Sequence, residues 1–430
     1  MTTGLRRVIG VRTLTLSVIN FIIGSAIFVV PAAAAKELGS AAVLAYLVAA
    51  VLVLTVALCF AEAGSRVTAT GGAYAYVERA FGPWAGFVVA TLMLVANGVV
   101  AVAAVANVLV GTLATVVPSL GSGVPRALFL TVLFAGFALL NIRGTKAGSR
   151  AIVILTVLKL APLLILLVAG LGSVQVTNLV WTDPPTAGGL ARGSLLLVFA
   201  LTGMEIALTP TGEVENPART VPIAALLGVA VTAALYVGIH LVAQGVLGAD
   251  LATFGAAPLA EVAERVLGPV GRGLMVAGAV VSTTGYLSGD MLSTPRSLYA
   301  LASDGLLPKG LSAVHQRYQT PWVAIAIYGA ISLLFTVLGT FQQLAILNAV
   351  GVLTIYLAVI LALFKLRRDG VVSDRAPLAL GGAALIRPAA LGLTLVLLAT
   401  AARAELLAVA GFVVVVSLFY FGWRRASANP

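Results

Sequence analysis

The stretch Val18-Ile19-Asn20-Phe21-Ile22-Ile23-Gly24-Ser25-Ala26-Ile27-Phe28 places a glycine and a serine in the middle of an apolar segment. A second stretch repeats the pattern, with the sequence Phe199-Ala200-Leu201-Thr202-Gly203-Met204-Glu205. Glycine adds backbone freedom, and a neighbouring hydroxyl can bond the amides and carbonyls that an unwound turn releases. Hydrocarbon tolerates such a turn only where it lines a cavity inside the protein. The two stretches therefore predict two broken membrane helices around one cavity.

A competing interpretation is that the two glycines only allow neighbouring helices to pack closely, as small residues often do in membranes. For either glycine alone this interpretation would be the better one. The occurrence of the same pattern at Gly24 and at Gly203 favours the breaks.

The composition around these stretches is that of a membrane protein. Of 430 residues, 60% are hydrophobic and 10% are charged, and the mean hydropathy is +1.10. Soluble domains contain about 25% charged residues, so a soluble enzyme is excluded. The chain has one cysteine and two histidines, His240 and His315. This excludes a disulfide framework and a structural metal site, and we expect no cofactor.

Apolar runs of about 20 residues, the length that spans a bilayer, recur along the whole chain. We predict one transporter domain over residues 1–430 with twelve transmembrane helices. The predicted segments are residues 14–36, 41–63, 84–111, 127–142, 151–172, 191–213, 221–247, 270–299, 322–339, 342–364, 386–401 and 405–423.

The net charge of +11 is distributed unequally between the two sides that this topology defines. Nineteen of the 26 basic residues fall on the side of the N-terminus and six on the other, while Lys159 lies inside a span. The positive-inside rule then places both termini in the cytoplasm, in a multi-pass protein of the cell membrane. Topology explains the charge, so we expect contact with the lipid bilayer and no nucleic-acid partner.

The two predicted breaks lie five spans apart. This is the spacing of an inverted repeat with its substrate site at the midplane of the membrane. We therefore predict a first repeat over residues 1–172, a second over residues 191–364, and two peripheral helices over residues 386–423.

Several motifs resemble those of the amino acid-polyamine-organocation (APC) superfamily of transporters. The resemblance covers the first ten predicted helices and implies a LeuT-type fold: an all-α polytopic membrane protein with a 5+5 inverted repeat in which helices 1 and 6 are broken. One departure is Ala26, which adds a methyl group where the family's first break has a second glycine. The motifs are Gly24-Ser25-Ala26-Ile27-Phe28, Gly71-Gly72-Ala73-Tyr74-Ala75-Tyr76 with Phe81-Gly82-Pro83, Gly203-Met204-Glu205 with Glu213-Val214-Glu215-Asn216-Pro217-Ala218-Arg219-Thr220-Val221-Pro222, and Pro295-Arg296-Ser297-Leu298-Tyr299-Ala300-Leu301-Ala302-Ser303-Asp304-Gly305-Leu306-Leu307-Pro308.

The unwound backbone predicts how a substrate would be held. The half-helix after the first break begins with free N–H donors, so Gly24, Ser25 and Ala26 suit a carboxylate. Free carbonyls near Ile23 and Thr202 suit a protonated amine. Main-chain groups can thus bind a zwitterion, and an α-amino acid fits this arrangement.

The resemblance also implies a side-chain pocket built by the third and sixth spans. Asn97 could instead make an interhelical hydrogen bond, and Phe199 could be ordinary core packing. The residues that match the family's pocket are Met93, Asn97, Phe199, Ala200, Thr202 and Gly203.

Ionisable residues at mid-membrane depth are functional or paired by default. Glu205 matches a buried carboxylate of the family, which takes part in protonation or bonds the amides freed by the break. Lys159 resembles a family lysine whose ammonium stands in place of a sodium ion, which disfavours sodium coupling. It either loses its proton during transport or is a permanently charged strut bonded to carbonyls around Ile22 and to Ser293 or Thr294.

Asp290 is an unexpected carboxylate in the eighth predicted span. The resemblance places it where the family has a pocket aromatic. It could bind a cationic side chain or second amine of the substrate, or it could neutralise Lys159. We favour the ion pair, because an unpaired buried charge is costly when the site is empty.

The sequence therefore predicts a secondary active transporter of L-amino acids across the cytoplasmic membrane, independent of sodium, which works by proton-coupled symport or by exchange with alternating access. The glycines are not followed by Lys-Ser or Lys-Thr, which excludes an ATP-driven pump. The alternatives are a polyamine or cationic amino acid antiporter and a non-transporting nutrient or germinant receptor on the same fold. The expected partners are an amino acid and protons, with no metal and no obligatory protein partner.

Overall fold

The computed structural model describes residues 9–67, 71–144, 149–181, 184–207, 214–372 and 382–428. Within these ranges the regular structure is helical, and the β-pairing is a single isolated bridge between Ile9 and Val214. The α-helices are α1 (Val11–Ile22), α2 (Val30–Leu38), α3 (Val43–Arg66), α4 (Ala73–Phe81), α5 (Pro83–Met93), α6 (Ala101–Ala114), α7 (Gly123–Arg143), α8 (Ser149–Gly170), α9 (Ala187–Leu201), α10 (Met204–Ala207), α11 (Pro217–Leu247), α12 (Pro258–Ser303), α13 (Trp322–Leu338), α14 (Phe341–Arg368), α15 (Ala383–Thr400) and α16 (Arg403–Ala428).

These helices fall on the predicted apolar segments. In the described ranges, eight stretches are long and apolar enough to cross a membrane. This confirms an all-α protein with several membrane-spanning helices, while the number of twelve stays a prediction. Shorter apolar helices occupy four of the remaining segments, namely Val11–Ile22, Leu158–Ser173, Trp322–Leu338 and Ala384–Thr400.

Three of the predicted segments are interrupted. The first divides between α1 and α2, and the sixth divides between α9 and α10. The third contains an irregularity that we did not predict, the π-helical segment Leu94–Val100 between α5 and α6. The amide of Asn348 on α14 donates to the carbonyl of Ala96 at 2.8 Å, so a neighbouring helix satisfies a backbone group of this segment.

Small residues bring the core helices close together. A Cβ at Gly228 of α11 would lie 2.4 Å from a methyl carbon of Val18 on α1. A Cβ at Gly351 of α14 would lie 2.7 Å from the Cβ of Ala96. Because no hydrophobic effect drives helices together inside lipid, such close backbone approach is a main source of helix association. These glycines thus fix the positions of α1 and of the π-helical segment.

A buried carboxylate attaches helix α15 to the core. Glu62, near the end of α3, is fully buried. Its carboxylate accepts a hydrogen bond from Arg387 of α15 at 3.0 Å and another from Arg367 of α14. Arg66, one turn further along α3, lies 3.7 Å from the same carboxylate. Removing the anion would leave several arginines close together at a helix junction, which is strongly destabilising.

Candidate functional site

The first break is a short unwound turn. Helix α1 ends at Ile22, whose carbonyl accepts the N–H of Gly24 at 2.8 Å. A single 3₁₀ turn, Ala26–Phe28, then leads into α2. The carbonyl end of α1 and the start of the next helical turn therefore lie on either side of Gly24 and Ser25.

Side chains from other helices hold the carbonyl end of α1. The ammonium of Lys159 on α8 donates to the carbonyl of Asn20 at 2.8 Å and to that of Ile23 at 2.6 Å. The hydroxyl of Tyr236 on α11 donates to the carbonyl of Ile22 at 3.2 Å. A cation is favourable at the negative end of a helix dipole. Lys159 is therefore well placed as a cap for α1.

Ser282 of α12 completes this ring of donors, with its hydroxyl 2.9 Å from the carbonyl of Gly24. Neither Ser282 nor Tyr236 was predicted from the sequence, where both read as ordinary residues of apolar spans. Side chains of α8, α11 and α12 thus converge on the first break.

The second break lies directly against the first. Gly203 has a φ of +120°, a conformation that residues with a Cβ rarely adopt. A Cβ at this position would lie 2.8 Å from the carbonyl oxygen of Phe21. The structure requires glycine at this position for two independent reasons: the backbone conformation and the close approach of α1.

Glu205 holds the second break together. Its carboxylate is fully buried and accepts the N–H of Gly203 at 3.2 Å, the side-chain amide of Asn97 at 3.1 Å and the hydroxyl of Tyr356 at 3.0 Å. Asn97 belongs to the π-helical segment and Tyr356 to α14. An anion is favourable beside the free N–H groups that begin a helical segment. Asn97 thus makes the interhelical hydrogen bond that was one of its two expected roles. Glu205 bonds an amide freed by the break, which was one of its two expected roles.

A cleft lies between the two breaks. Its wall is mostly apolar and includes the aromatic rings of Phe21, Phe199 and Tyr286. The residues that line it are Phe21, Ile22, Gly24, Ser25, Ala26, Asn97, Ala101, Val105, Phe199, Ala200, Thr202, Gly203, Ile206 and Tyr286.

Most of the predicted substrate-binding residues lie around this cleft. The contact of each with a substrate stays a prediction. Phe199 also packs edge-to-face on Phe341, with ring centres 5.8 Å apart, so its predicted gating and packing roles are compatible. The predicted residues that line the cleft are Gly24, Ser25, Ala26, Asn97, Phe199, Ala200, Thr202 and Gly203.

Three predicted substrate-binding residues do not line the cleft, namely Ile23, Met93 and Asp290. The side chain of Ile23 is buried elsewhere, and its carbonyl, which we expected to hold an amine, already accepts from Lys159. Met93 was placed beside Asn97 on the assumption of a regular α-helix. Met93 is the last residue of α5, directly before the π-helical segment, and it does not line the cleft.

The expected ion pair between Asp290 and Lys159 is wrong. The carboxylate of Asp290 accepts hydrogen bonds from Thr294 at 2.8 Å and from the hydroxyl of Tyr328 on α13. It does not line the cleft. The lining aromatic that the resemblance implied at this position is Tyr286, one turn earlier on α12.

The predicted contacts of Lys159 with Ser293 and Thr294 are also wrong. Ser293 is exposed and donates to the carbonyl of Gly289 at 3.0 Å, while Thr294 is used by Asp290. The contacts with carbonyls next to Ile22 are present, as described above. Counting residues from a motif therefore did not give the partners of Asp290 and Lys159.

The remaining lining residues were missed by the sequence analysis. Phe21 and Ile206 flank the two breaks and could have been inferred from their neighbours in sequence. Ala101, Val105 and Tyr286 lie on other helices, and their apolar or aromatic character is common throughout the chain. Only packing shows that they face the cleft.

Two of the four half-helix ends at the breaks are held by charged side chains. Lys159 holds the carbonyl end of α1, and Glu205 holds the N–H of Gly203. In the described part of the chain, no charged side chain bonds the other two ends, which are the start of the turn at Ala26 and the end of α9. At the first of these, Ser25 is 1% exposed, and its buried hydroxyl has no hydrogen-bond partner. A buried polar atom in that state needs a ligand or a water molecule.

Comparisons with known proteins agree with this architecture. The family model for amino acid permeases matches residues 9–424. The chain is 30% identical to the serine/threonine exchanger SteT of Bacillus subtilis, over 85% of this chain and 84% of that protein. It is 28% identical to the branched-chain amino acid permease BcaP of the same organism, over 85% of this chain and 82% of that protein.

A mammalian relative is similar over a smaller share of its own length. The chain is 28% identical to cationic amino acid transporter 4 of Mus musculus, over 85% of this chain and 61% of that protein. These relatives are transporters and not enzymes. With its two apposed helix breaks and a family match over nearly its whole length, the chain belongs to the amino acid permease family of the APC superfamily.

Proposed function

We propose that this permease is a secondary active transporter of neutral L-amino acids across the cytoplasmic membrane. The observation that carries the proposal is the meeting of two helix breaks at one cleft, where protein charges hold only two of the four half-helix ends. An α-amino acid supplies the two charges that the other ends lack. Its carboxylate would accept from the N–H groups of Ser25 and Ala26 and from the Ser25 hydroxyl.

The ammonium of the substrate would lie at the carbonyl end of α9. The hydroxyl of Thr202 already bonds the carbonyl of Phe199 at 2.8 Å, which leaves the following carbonyls for the amine. This assignment differs from the sequence-based one, because Lys159 already uses the carbonyl of Ile23. We therefore place the amine site at the end of α9 and not at the end of α1.

The cleft favours a neutral side chain on the substrate. Ile22, Ala101, Val105 and Ile206 supply aliphatic surface, which stabilises apolar groups by burial. Among the described lining residues none is charged, and Asp290 lies outside the cleft. A cationic side chain would be buried without a counter-charge, at a cost that a neutral side chain avoids. We therefore place the cationic amino acid or polyamine alternative second.

Transport is proposed to be independent of sodium. The ammonium of Lys159 lies between two backbone carbonyls of α1, which are hard oxygen donors of the kind that bind a metal cation. A cation that belongs to the chain makes a bound ion unnecessary at this point. Coupling would then be by proton symport or by exchange of amino acids, with alternating access to the cleft.

The membrane arrangement completes the proposal. We infer twelve spans, with residues 1–172 and 191–364 as inverted repeats, residues 386–423 as peripheral helices, and both termini in the cytoplasm. Support comes from the breaks, which occupy corresponding positions in the two halves, and from the excess of basic residues on one side.

Reconstitution into liposomes tests this function. Liposomes that contain the purified protein are loaded with unlabelled amino acids. Uptake of a panel of labelled amino acids is then measured with sodium and with choline as the external cation. We expect uptake of neutral amino acids that is unchanged by choline. Uptake confined to cationic amino acids would favour the second alternative, and binding without any uptake or exchange would favour a receptor.

The role of Lys159 needs a separate measurement. Uptake by the variant Lys159→Ala is measured as a function of pH and compared with that of the unchanged protein. A lost pH dependence is expected if this lysine exchanges a proton. An unchanged pH dependence with a lower rate is expected if it is a charged strut.

A further inference from the structure

Asp290 differs from the other buried ionisable groups in the kind of partner it has. Glu205 faces a backbone N–H, an amide NH₂ and a single hydroxyl, that of Tyr356. Asp290 faces two hydroxyl groups, those of Thr294 and Tyr328.

A hydroxyl group can donate or accept a hydrogen bond by rotating its hydrogen. When Asp290 is ionised, Thr294 and Tyr328 both donate to it. When Asp290 is protonated, one of them can turn and accept from the carboxyl group. Both protonation states are therefore satisfied without any movement of heavy atoms, which is the property expected of a group that exchanges a proton.

A polar surface leads to Asp290 along α12. Most spans expose large apolar side chains, as α13 does with Ile331 and Leu334. The exposed positions of the second half of α12 instead follow one helical stripe of small or polar residues. Polar and charged side chains such as these suit a water-filled cavity better than lipid. The stripe consists of Ser288, Gly289, Ser293, Arg296, Ser297, Ala300 and Ser303.

The stripe runs from the level of Asp290 to the end of α12. The loop that follows is predicted to be cytoplasmic. Asp290 itself is partly exposed at the edge of the stripe. Water, and with it a proton, can therefore reach the carboxylate from the inner side.

The same cluster lies behind the substrate cleft. A Cβ at Gly98 would lie 2.8 Å from the methyl carbon of Thr294 and 3.1 Å from the hydroxyl of Tyr328. Gly98 follows Asn97, which lines the cleft and bonds Glu205. The two partners of Asp290 therefore pack against Gly98, the residue next to Asn97.

Other charged groups do not explain the position of Asp290. Lys159 of α8 is bonded to carbonyls of α1, and Arg296 of α12 bonds the carbonyl of Leu292. Helix α6 and the π-helical segment contain no charged residue. The remaining titratable and charged groups on α12 and on described elements that pack against it are Glu261, Glu264, Arg265, Arg272, Tyr286 and Tyr299 on α12 itself, Tyr328 on α13, Arg126 and Arg143 at the ends of α7, Lys36 and Glu37 on α2, Arg219, Tyr236 and His240 on α11, and Lys309 in the loop after α12.

We propose that Asp290 is the proton-binding site that couples amino acid uptake to the proton gradient. The carboxylate takes a proton from water on one side of the membrane and returns it to water on the other, so no other reactant is needed. This inference rests on the proposed transport function and assigns its coupling ion to a residue outside the substrate cleft.

The test measures two rates in the same liposomes. One is exchange of labelled for unlabelled amino acid at equal pH, and the other is uptake driven by a pH gradient, with internal pH followed by a trapped dye. Dividing the rate of gradient-driven uptake by the rate of exchange cancels differences in the amount of folded protein. We expect the ratio of gradient-driven uptake to exchange to fall to its value without a gradient in Asp290→Asn and to recover in part in Asp290→Glu. It should stay unchanged in the control Thr131→Ala, at an exposed residue of α7 whose hydroxyl donates to a carbonyl of its own helix.

Three results would separate the possible failures. A ratio in Asp290→Asn equal to that of the unchanged protein would overturn the proposal. Exchange without any proton movement in the unchanged protein would also overturn it, while leaving amino acid transport intact. No exchange and no uptake in the unchanged protein would mean that the proposed function itself is wrong, and the assignment of Asp290 with it.

A second variant keeps the proposal testable if Asp290→Asn cannot be purified. Tyr328→Phe removes one hydroxyl that stabilises the ionised carboxylate. The carboxylate should then bind its proton more readily, so the pH of half-maximal uptake should shift upward. An unchanged pH profile in Tyr328→Phe would contradict the proposal.

Discussion

The two helix breaks are built in opposite ways. At the first, carbonyls at the end of α1 face outward from the helix and are held by donors, the strongest of which is the ammonium of Lys159. At the second, the N–H of Gly203 is held by an acceptor, the carboxylate of Glu205. Each protein charge has the sign that its half-helix end attracts. The comparison shows that two half-helix ends at the cleft are not bonded by a charged side chain: the N–H groups at Ala26 and the carbonyls at the end of α9. These two ends match the carboxylate and the ammonium of a zwitterion.

The largest effect is expected from removing the anion at the second break. Glu205→Ala leaves the N–H of Gly203, the amide of Asn97 and the hydroxyl of Tyr356 buried without an acceptor. Each such group costs about 1–3 kcal/mol, so a combined loss of about 3 kcal/mol would lower transport by more than about a hundredfold. The rate of exchange in liposomes is the measurement. Near-normal exchange in this variant would show that the second break does not need its anion.

A smaller effect is expected from disturbing the contact between the breaks. In Gly203→Ala, the new Cβ meets the carbonyl of Phe21 and the backbone is held in an unfavourable conformation. Such strain costs about 1–3 kcal/mol, so exchange should fall by about tenfold or more. The matched control is Gly111→Ala on α6, where a Cβ meets nothing within 4 Å. Equal exchange rates in the two variants would mean that the breaks need not touch.

The first break can be probed through its unpartnered hydroxyl. Ser25→Ala removes one donor to the substrate carboxylate, and a hydrogen bond to a charged group is worth about 1.5–3 kcal/mol. We expect KM for uptake to rise by about tenfold with little change in the maximal rate. Ser194→Ala is the control, since Ser194 is also buried without a partner and does not line the cleft. A change in KM of the same size in both variants would remove Ser25 from the site.

The smallest effect is expected at the edge of the second break. Tyr356→Phe deletes a single hydroxyl and leaves the other two donors to Glu205 in place. A net loss of about 1 kcal/mol corresponds to a few-fold fall in exchange and a small drop in the thermal unfolding temperature. A loss as large as that of Glu205→Ala would show that this hydroxyl, and not the backbone N–H, is the main partner of the carboxylate.

The sequence predicted the features that depend on local pattern. Apolar runs gave the positions of the spans, because a membrane helix must be apolar along its whole length. Gly24 and Gly203 marked the two breaks, because glycine beside a hydroxyl residue is unusual at that depth. Family motifs then supplied most of the residues that line the cleft.

Features that depend on helix rotation were not predicted. The π-helical segment, Leu94-Val95-Ala96-Asn97-Gly98-Val99-Val100, was not predicted from its sequence. The rotation of α12 was also unknown, so Asp290 was paired with Lys159 when it faces Tyr328. Packing between helices fixes such rotations, and a single amino-acid sequence does not show which helices pack together.

The comparison of the breaks makes one central claim, that the two free half-helix ends bind the carboxylate and the amine of the substrate. The direct measurement is competition for uptake by the preferred neutral L-amino acid, its methyl ester and its N-acetyl derivative. The ester lacks the carboxylate and the N-acetyl compound lacks the ammonium. Since each loss removes hydrogen bonds to a charged group, both derivatives should compete at least about tenfold less well than the amino acid. Equal competition by either derivative would contradict the claim for the corresponding end.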